Sequence, residues 1–421
     1  MELEGLRGVA ALAVVLGHFL LAFYPFVITA IPGLTQHMRL EDEIHGSPIS
    51  IVFSGGFAVL VFFVLSGFVL TIGFFQTKRV DIIKSLASRR YLRLMLPALA
   101  SIIICFTAMK LGLSNIAGAA AISQSEWLRS AWTFNASFLD ALYNGTIGIF
   151  IHGASPYNNV LWTMMTEFLG SFLVFGYVLL FANSKYRWIG YVILCAVTFN
   201  TWYMGFIVGM VLADLYAKGV IRNNKKLLFT LPVLAVGIFF GSYPAGRIDN
   251  TMYHFLQPAF LGPVSYATLW MTIGAAILVY IVLSSEKLAQ LMRRPKISIL
   301  GKYTFSLYLV HLVVLYTVTT GVFVKLYPAL GYNKSVLVAF LISAPVIWGI
   351  TVLFEKYIDT PSINIARKWS YIFEGKEQLF PPRLKEKLNY VWVQILIKTT
   401  YTWQAWRTSW NVRKIDDEEI S

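Results

Sequence analysis

Cysteine is nearly absent from this chain. Its 421 residues hold only Cys105 and Cys195, both inside apolar runs, which leaves no disulfide framework and no thiolate spacing for a metal. No metal is therefore expected. Charge is scarce too, at 13% of residues against 57% hydrophobic and 15% aromatic, a balance that excludes an ordinary soluble domain. Acidic residues are rarer than basic ones, so the chain carries a formal charge of +14. A basic surplus can serve nucleic acid, but here Lys and Arg return in every second loop, which speaks against that partner and for a lipid bilayer. Repeats, low-complexity stretches and linkers are lacking as well, which points to one polytopic domain. A cleavable leader is not expected, because the first apolar run is longer than a signal-peptide core.

What the chain has in abundance is hydrophobic runs. They predict an all-α membrane protein of about ten helices, near 8–30, 51–75, 94–112, 159–182, 188–201, 203–217, 227–242, 265–283, 303–325 and 335–357. Segments 76–93, 183–187, 218–226 and 284–302 carry 17 Lys and Arg, including Arg89, Arg293, Arg294, Lys225 and Lys226, whereas the intervening segments carry six. The positive-inside rule then puts both termini in the cytoplasm. On the outer side, residues 113–158 are too long for a plain connector and are expected to form a structured, acceptor-facing element. Sequons at Asn135, Asn144 and Asn333 all fall on outer segments, compatible with a plasma or secretory-pathway membrane. Residues 1–360 thus read as the membrane domain and 361–421 as a cytoplasmic tail. Within that tail Trp392, Trp403, Trp406 and Trp410 recur at helical spacing, the pattern of an amphipathic helix lying in the membrane interface.

The first run contains an arginine and a histidine where lipid-facing helices carry neither. Eleven steps of about 100° leave His18 only about 20° round the axis from Arg7 and about 16 Å further along, so both look into the same interior space. His18 can act as a general base on an acceptor hydroxyl or as a hydrogen-bonding bridge between helices. Gly5 and Gly8 beside Arg7 permit close approach of a helix or an anion. Arg90 and Arg93, three apart at the inner start of the third helix, can grip one phosphate-rich group or serve only as topogenic charge. Glu167, after Trp162 in the fourth helix, is expected at a depth comparable with His18 and can orient His18, bind an acceptor or lock two helices together. In the ninth helix Tyr308 and His311 share a face near Ser306, suited to catalysis or to interhelical hydrogen bonds, while the outer His152 is a weaker candidate.

In this order these segments resemble the integral-membrane acyltransferase 3 family, whose members O-acylate sugars and other small acceptors from acyl-coenzyme A. Arg7 to His18 is similar to the family's arginine, ten residues, histidine signature, and Arg90-Tyr91-Leu92-Arg93 to its second, cytoplasmic arginine motif. Residues Phe62 to Phe68, Trp162 with Glu167, and Ser306, Tyr308 and His311 stand where the family has similar segments. The resemblance runs from about residue 4 to about 360. It implies an O-acyltransferase, in the first instance an O-acetyltransferase, acting on a glycan, lipid-linked sugar or small hydroxylated molecule. Acetyl-coenzyme A or another acyl-coenzyme A would be cosubstrate, held by Arg7, Arg90 and Arg93. His18 would be base or transient acyl carrier with Glu167 as its catalytic companion, and Trp162, Ser306, Tyr308 and His311 would support them. Some relatives carry an attached extracytoplasmic hydrolase-like domain; no such domain is expected here, and the chain is expected to act alone or with a separate acceptor-side partner. The competing reading is a proton-coupled secondary transporter using Arg7, His18 and Glu167.

Overall fold

Each of the ten expected runs is helical in the computed structural model, which describes residues 2–221, 227–257 and 266–373. The helices are α1 (Glu2–Phe23), α2 (Gly55–Thr77), α3 (Val80–Lys110), α4 (Thr163–Phe181), α5 (Arg187–Val197), α6 (Tyr203–Ala217), α7 (Leu227–Gly241), α8 (Ala267–Ser284), α9 (Pro295–Val314) and α10 (Tyr332–Phe354). No β-strand occurs among the described residues. Among the described residues, seven helices are long and apolar enough to cross a membrane. The other three, α5, α6 and α7, have 11, 15 and 15 residues. At 1.5 Å per residue these fall short of a hydrocarbon core of about 30 Å, so ten full crossings is more than length alone supports. Lys225, Lys226 and the tryptophan-rich tail segment lie outside the described residues.

α2 is the hub, packed against α1, α4, α6 and α8, while α9 lies along α1 and α10 along α9. The α2–α6 contact is the closest because glycines face each way across it: a Cβ on Gly67 would overlap the Phe206 carbonyl, and one on Gly209 the Val64 carbonyl. Small residues let two apolar helices touch backbone to backbone where lipid supplies no hydrophobic driving force. Gly5 and Gly8 do the same for α1, against Met292, Leu300 and Gly301. Close approach to a helix, one of the two uses expected of these glycines, is the one observed.

Several helices run past their expected ends. α3 begins at Val80, so Arg89, Arg90 and Arg93 stand well inside the helix and not at its start. α10 continues through a π-turn (Glu355–Asp359) into Thr360–Phe373, so the helix does not stop at Pro361. A similar π-turn, Leu315–Thr319, carries α9 on to Leu330. Gly331, with φ +69°, makes the break before α10 in a conformation that only glycine adopts freely. The chain divides into compact units Met1–Arg367 and Lys368–Ser421, and the cavities lie in the first.

Segments expected on the same side do meet. Glu2 pairs with Arg293 at 3.1 Å and Lys302 with Glu355 at 3.4 Å at one end of the bundle. At the other end the Tyr24 hydroxyl donates to Asn333 at 2.9 Å and Ser50 donates to the Ser242 carbonyl at 3.1 Å. The Asn333 amide in turn donates to the His37 carbonyl at 2.9 Å, so this sequon asparagine is committed to the fold. Residues 113–158 fold into short helices, and Trp127 from one of them reaches His18, with ring centres 5.4 Å apart.

Candidate active site

Two cavities lie back to back inside the bundle, called inner and outer after the ends expected to face the cytoplasm and the far side. The inner one, about 480 Å³, is lined by Arg7, Arg90, Arg93 and Lys302 and by the carboxylates Glu167, Glu355 and Asp359. The outer one, about 210 Å³, is lined by His18, His45, Trp162 and Tyr243 among mainly apolar neighbours. Val59 and Tyr308 line both and form the partition between them. Arg7 and His18 therefore face the same interior, as helical geometry requires, but open into different compartments.

In the inner cavity most of the positive charge is already matched. Arg90 forms an ion pair with Glu167 and donates to Ser171 Oγ at 2.8 Å, and the Ser66 hydroxyl donates to the same Glu167 oxygen at 2.7 Å. Arg93 pairs with Asp359 at 2.5 Å and lies 4.9 Å over the Phe305 ring. The wider π-turn presents Glu355 and Asp359 together to this space, a use to which such turns are commonly put. Arg7 differs: no hydrogen bond or ion pair holds its guanidinium among the described residues, although it lines the cavity. An unpaired guanidinium at membrane depth is a strong preference for an anion, with a planar fork suited to phosphate oxygens.

The outer cavity is lined by His18, and the fully buried His311 lies behind it. His311 Nδ1 lies 3.0 Å from the Leu307 carbonyl, and His18 Nδ1 lies 3.0 Å from the Val14 carbonyl. Carbonyl oxygens only accept, so in the neutral rings both Nδ1 atoms carry the hydrogen. His311 Nε2 is then an acceptor, 3.2 Å from His18 Nδ1, and shares that hydrogen with Val14. The tautomer that follows leaves the lone pair of His18 on Nε2, the nitrogen a base must use. Trp127 and His311 both pack against the His18 ring, with ring centres 5.4 and 5.1 Å away.

The partition is hydrogen-bonded. The Tyr308 hydroxyl donates to the Val160 carbonyl at 2.7 Å and lies 3.0 Å from Thr163 Oγ1. Trp162, the residue before α4, lines the outer cavity and packs on Trp202 with ring centres 4.8 Å apart.

Sequence and structure part company over Glu167, expected at the depth of His18. The chain entering α4 is drawn into the bundle first: Asn158 is fully buried, its amide donating to the Leu309 carbonyl at 2.8 Å and to Ser101 at 3.1 Å. Nine residues further on, Glu167 is level with Arg90 and does not touch His18. Ser306 is buried with its hydroxyl unpartnered among the described residues and lines neither cavity. His152 bonds Tyr143 at 3.0 Å on the surface, also away from both. Residues that the sequence reading missed are Asp359, Glu355 and Lys302 around the inner cavity and His45 and Trp127 around the outer. Carboxylates just past the last apolar run, opposite Arg93 and Lys302, were the one available signal.

The family model described as an acyltransferase domain matches residues 2–355. Among curated relatives, the O-acetyltransferase PaAT-1 of Phomopsis amygdali is 24% identical over 423 residues, covering 88% of this chain and 84% of its own. Acyltransferase R4 of a Phoma species is 22% identical over 381 residues, covering 75% of this chain and 80% of its own. No solved structure matches.

Proposed function

From the premise that the chain belongs to the acyltransferase 3 family and is a membrane acyltransferase, we propose that it moves an acyl group, first of all acetyl, from acyl-coenzyme A in the inner cavity to a hydroxyl in the outer one. The observation that carries this reading is the opposition of the two cavities. One is lined by Arg7 with a free guanidinium, the other by His18 with a free basic nitrogen, and Tyr308 stands between. We take the inner cavity to face the cytoplasm, because the most basic loops gather at that end. Phosphates of the donor bind Arg7 directly and compete with Glu167 and Asp359 for Arg90 and Arg93.

The transfer balances without a further reactant. His18 Nε2 takes the hydroxyl proton as the oxygen bonds to the thioester carbonyl carbon. The carbon–sulfur bond then breaks, and the coenzyme A thiolate leaves with the proton returned from the imidazolium. His311 positions His18, and Tyr308 must swing aside for thioester and hydroxyl to meet. Glu167 serves the donor-side charge network. The acceptor is a hydroxyl of a glycan, lipid-linked sugar or small molecule, reached from the outer side, where a separate partner protein can present it. A proton-coupled transporter is the weaker reading, since it gives the inner basic cluster no task.

The test is acetyl transfer from labelled acetyl-coenzyme A by the purified full-length protein. His18→Ala is expected to lose about 10²–10⁴ in rate with donor binding intact, and Arg7→Ala to weaken donor binding. Undiminished turnover in His18→Ala would overturn the mechanism.

A further inference from the structure

The outer cavity has few polar side chains to offer a ligand. Tyr308 is bonded to Val160 and Thr163, and both nitrogens of His45 are taken, at 3.0 Å from the Val27 carbonyl and 2.6 Å from the Arg247 carbonyl. Ser50 donates to Ser242, and Ser54 caps α2 by accepting from Phe57 N–H. Three side-chain groups lining the cavity have no partner among the described residues, His18 Nε2, the Trp162 indole N–H and the Tyr243 hydroxyl, and Ser54 accepts from Phe57 but keeps its O–H to donate. Much of the remaining lining is apolar, with Val14, Leu21, Ile28, Phe53, Val59 and Pro244. Its volume of about 210 Å³ compares with the roughly 150 Å³ in which an apolar protein cavity holds benzene, so about one substituted ring fits.

Resting on the acyltransferase reading, we propose that the acceptor end entering this cavity is a compact, largely apolar alcohol, one ring or its branched equivalent, and not a polyhydroxylated sugar ring. A sugar brings several hydroxyls, and each one left unpaired in an apolar site costs on the order of tenfold in affinity. An apolar alcohol brings a single hydroxyl, which donates to His18 Nε2, while Trp162 and Tyr243 remain to bond the oxygen.

Gly55, at the start of α2, lines the cavity, and a Cβ built on it meets nothing within 4 Å. A side chain at this position occupies the acceptor's space without displacing the backbone.

The experiment uses a benzyl alcohol bearing a diazirine on the ring, photolysed with the full-length protein in lipid nanodiscs, and the labelled peptides mapped by mass spectrometry. Labelling is expected on peptides carrying Val14, Phe53 or Trp162, competed at least about tenfold better by benzyl alcohol than by methyl glucoside. Gly55→Phe should abolish it and the milder Gly55→Leu should reduce it. Equal competition by methyl glucoside, labelling only elsewhere, or labelling unchanged in both Gly55 variants overturns the proposal. The binding readout needs no donor, so it stands or falls apart from turnover. Acetyl transfer to methyl glucoside but not to benzyl alcohol would keep the enzyme and discard this acceptor class.

Discussion

His311 Nε2 lies 3.2 Å from His18 Nδ1, and the Leu307 carbonyl behind His311 determines which of them donates. His311→Gln keeps an acceptor near His18 Nδ1, whereas His311→Phe removes it. We expect His311→Phe to lower the rate about tenfold or more, shift the pH profile of kcat and leave the donor KM unchanged, with His311→Gln recovering much of the loss. A purely structural role would move stability and leave the pH profile in place.

Tyr308→Phe removes the hydroxyl bonded to Val160 and Thr163 and should cost about 1 kcal/mol of stability. Tyr308→Ala removes the partition itself. Joining the cavities should admit water to the thioester and raise the ratio of free acetate to acylated product, read by separating the two labelled species. An unchanged ratio in Tyr308→Ala would show that the barrier lies elsewhere.

The Arg90–Glu167 pair is mostly buried, with side chains 13% and 15% exposed. Arg90→Ala leaves Glu167 with only Ser66 and should destabilise by about 3 kcal/mol, while the double variant Arg90→Ala, Glu167→Ala should be less affected than the sum of the singles. Thermal midpoints of the four proteins complete the cycle.

Gly209→Val forces a side chain into the Val64 carbonyl at the α2–α6 contact. The expected cost is about 1–3 kcal/mol, seen as a lower melting temperature and a reduced yield of folded protein. Gly55→Ala, by contrast, meets nothing and should melt with the parent.

In the loop between α1 and α2, Glu41 is fully buried; one carboxylate oxygen accepts from the His37 and Met38 backbone N–H groups, and the other has no partner among the described residues. Burial raises its pKa above the ordinary 4.5 despite those two bonds. The folded state holds this proton more tightly than the unfolded chain, so the contribution is complete below pH 4.5 and is lost as pH rises through the raised value. Glu41→Gln should flatten the fall in melting temperature over that interval. A curve parallel to the parent's would count against it.

Helical periodicity carried the reading of α1 a long way: Arg7 and His18 were placed on one inner face from spacing alone, and both do line interior cavities. Arg90 and Arg93 likewise needed only their offset of three. What periodicity lacks is the depth at which a helix starts and the identity of the side chain opposite. Glu167 was set level with His18 because nothing in the local sequence reveals that Asn158 pulls the start of α4 inward. His311 was visible as a polar residue sharing a face with Tyr308, yet its bond to His18 joins residues 293 apart. The pairing of Arg93 with Asp359 spans 266 residues and depends on how α3 and the π-turn after α10 meet, which only the assembled bundle determines.

That Tyr308 belongs to both cavities has a consequence for the bilayer as a barrier. If a thioester reaches one side of a single phenol ring and an alcohol the other, coenzyme A stays on its own side throughout. No continuous aqueous path needs to open, so the electrochemical gradient survives each turnover. The cargo that changes compartments is as small as two carbons and an oxygen, and the product is released on the side from which the alcohol arrived.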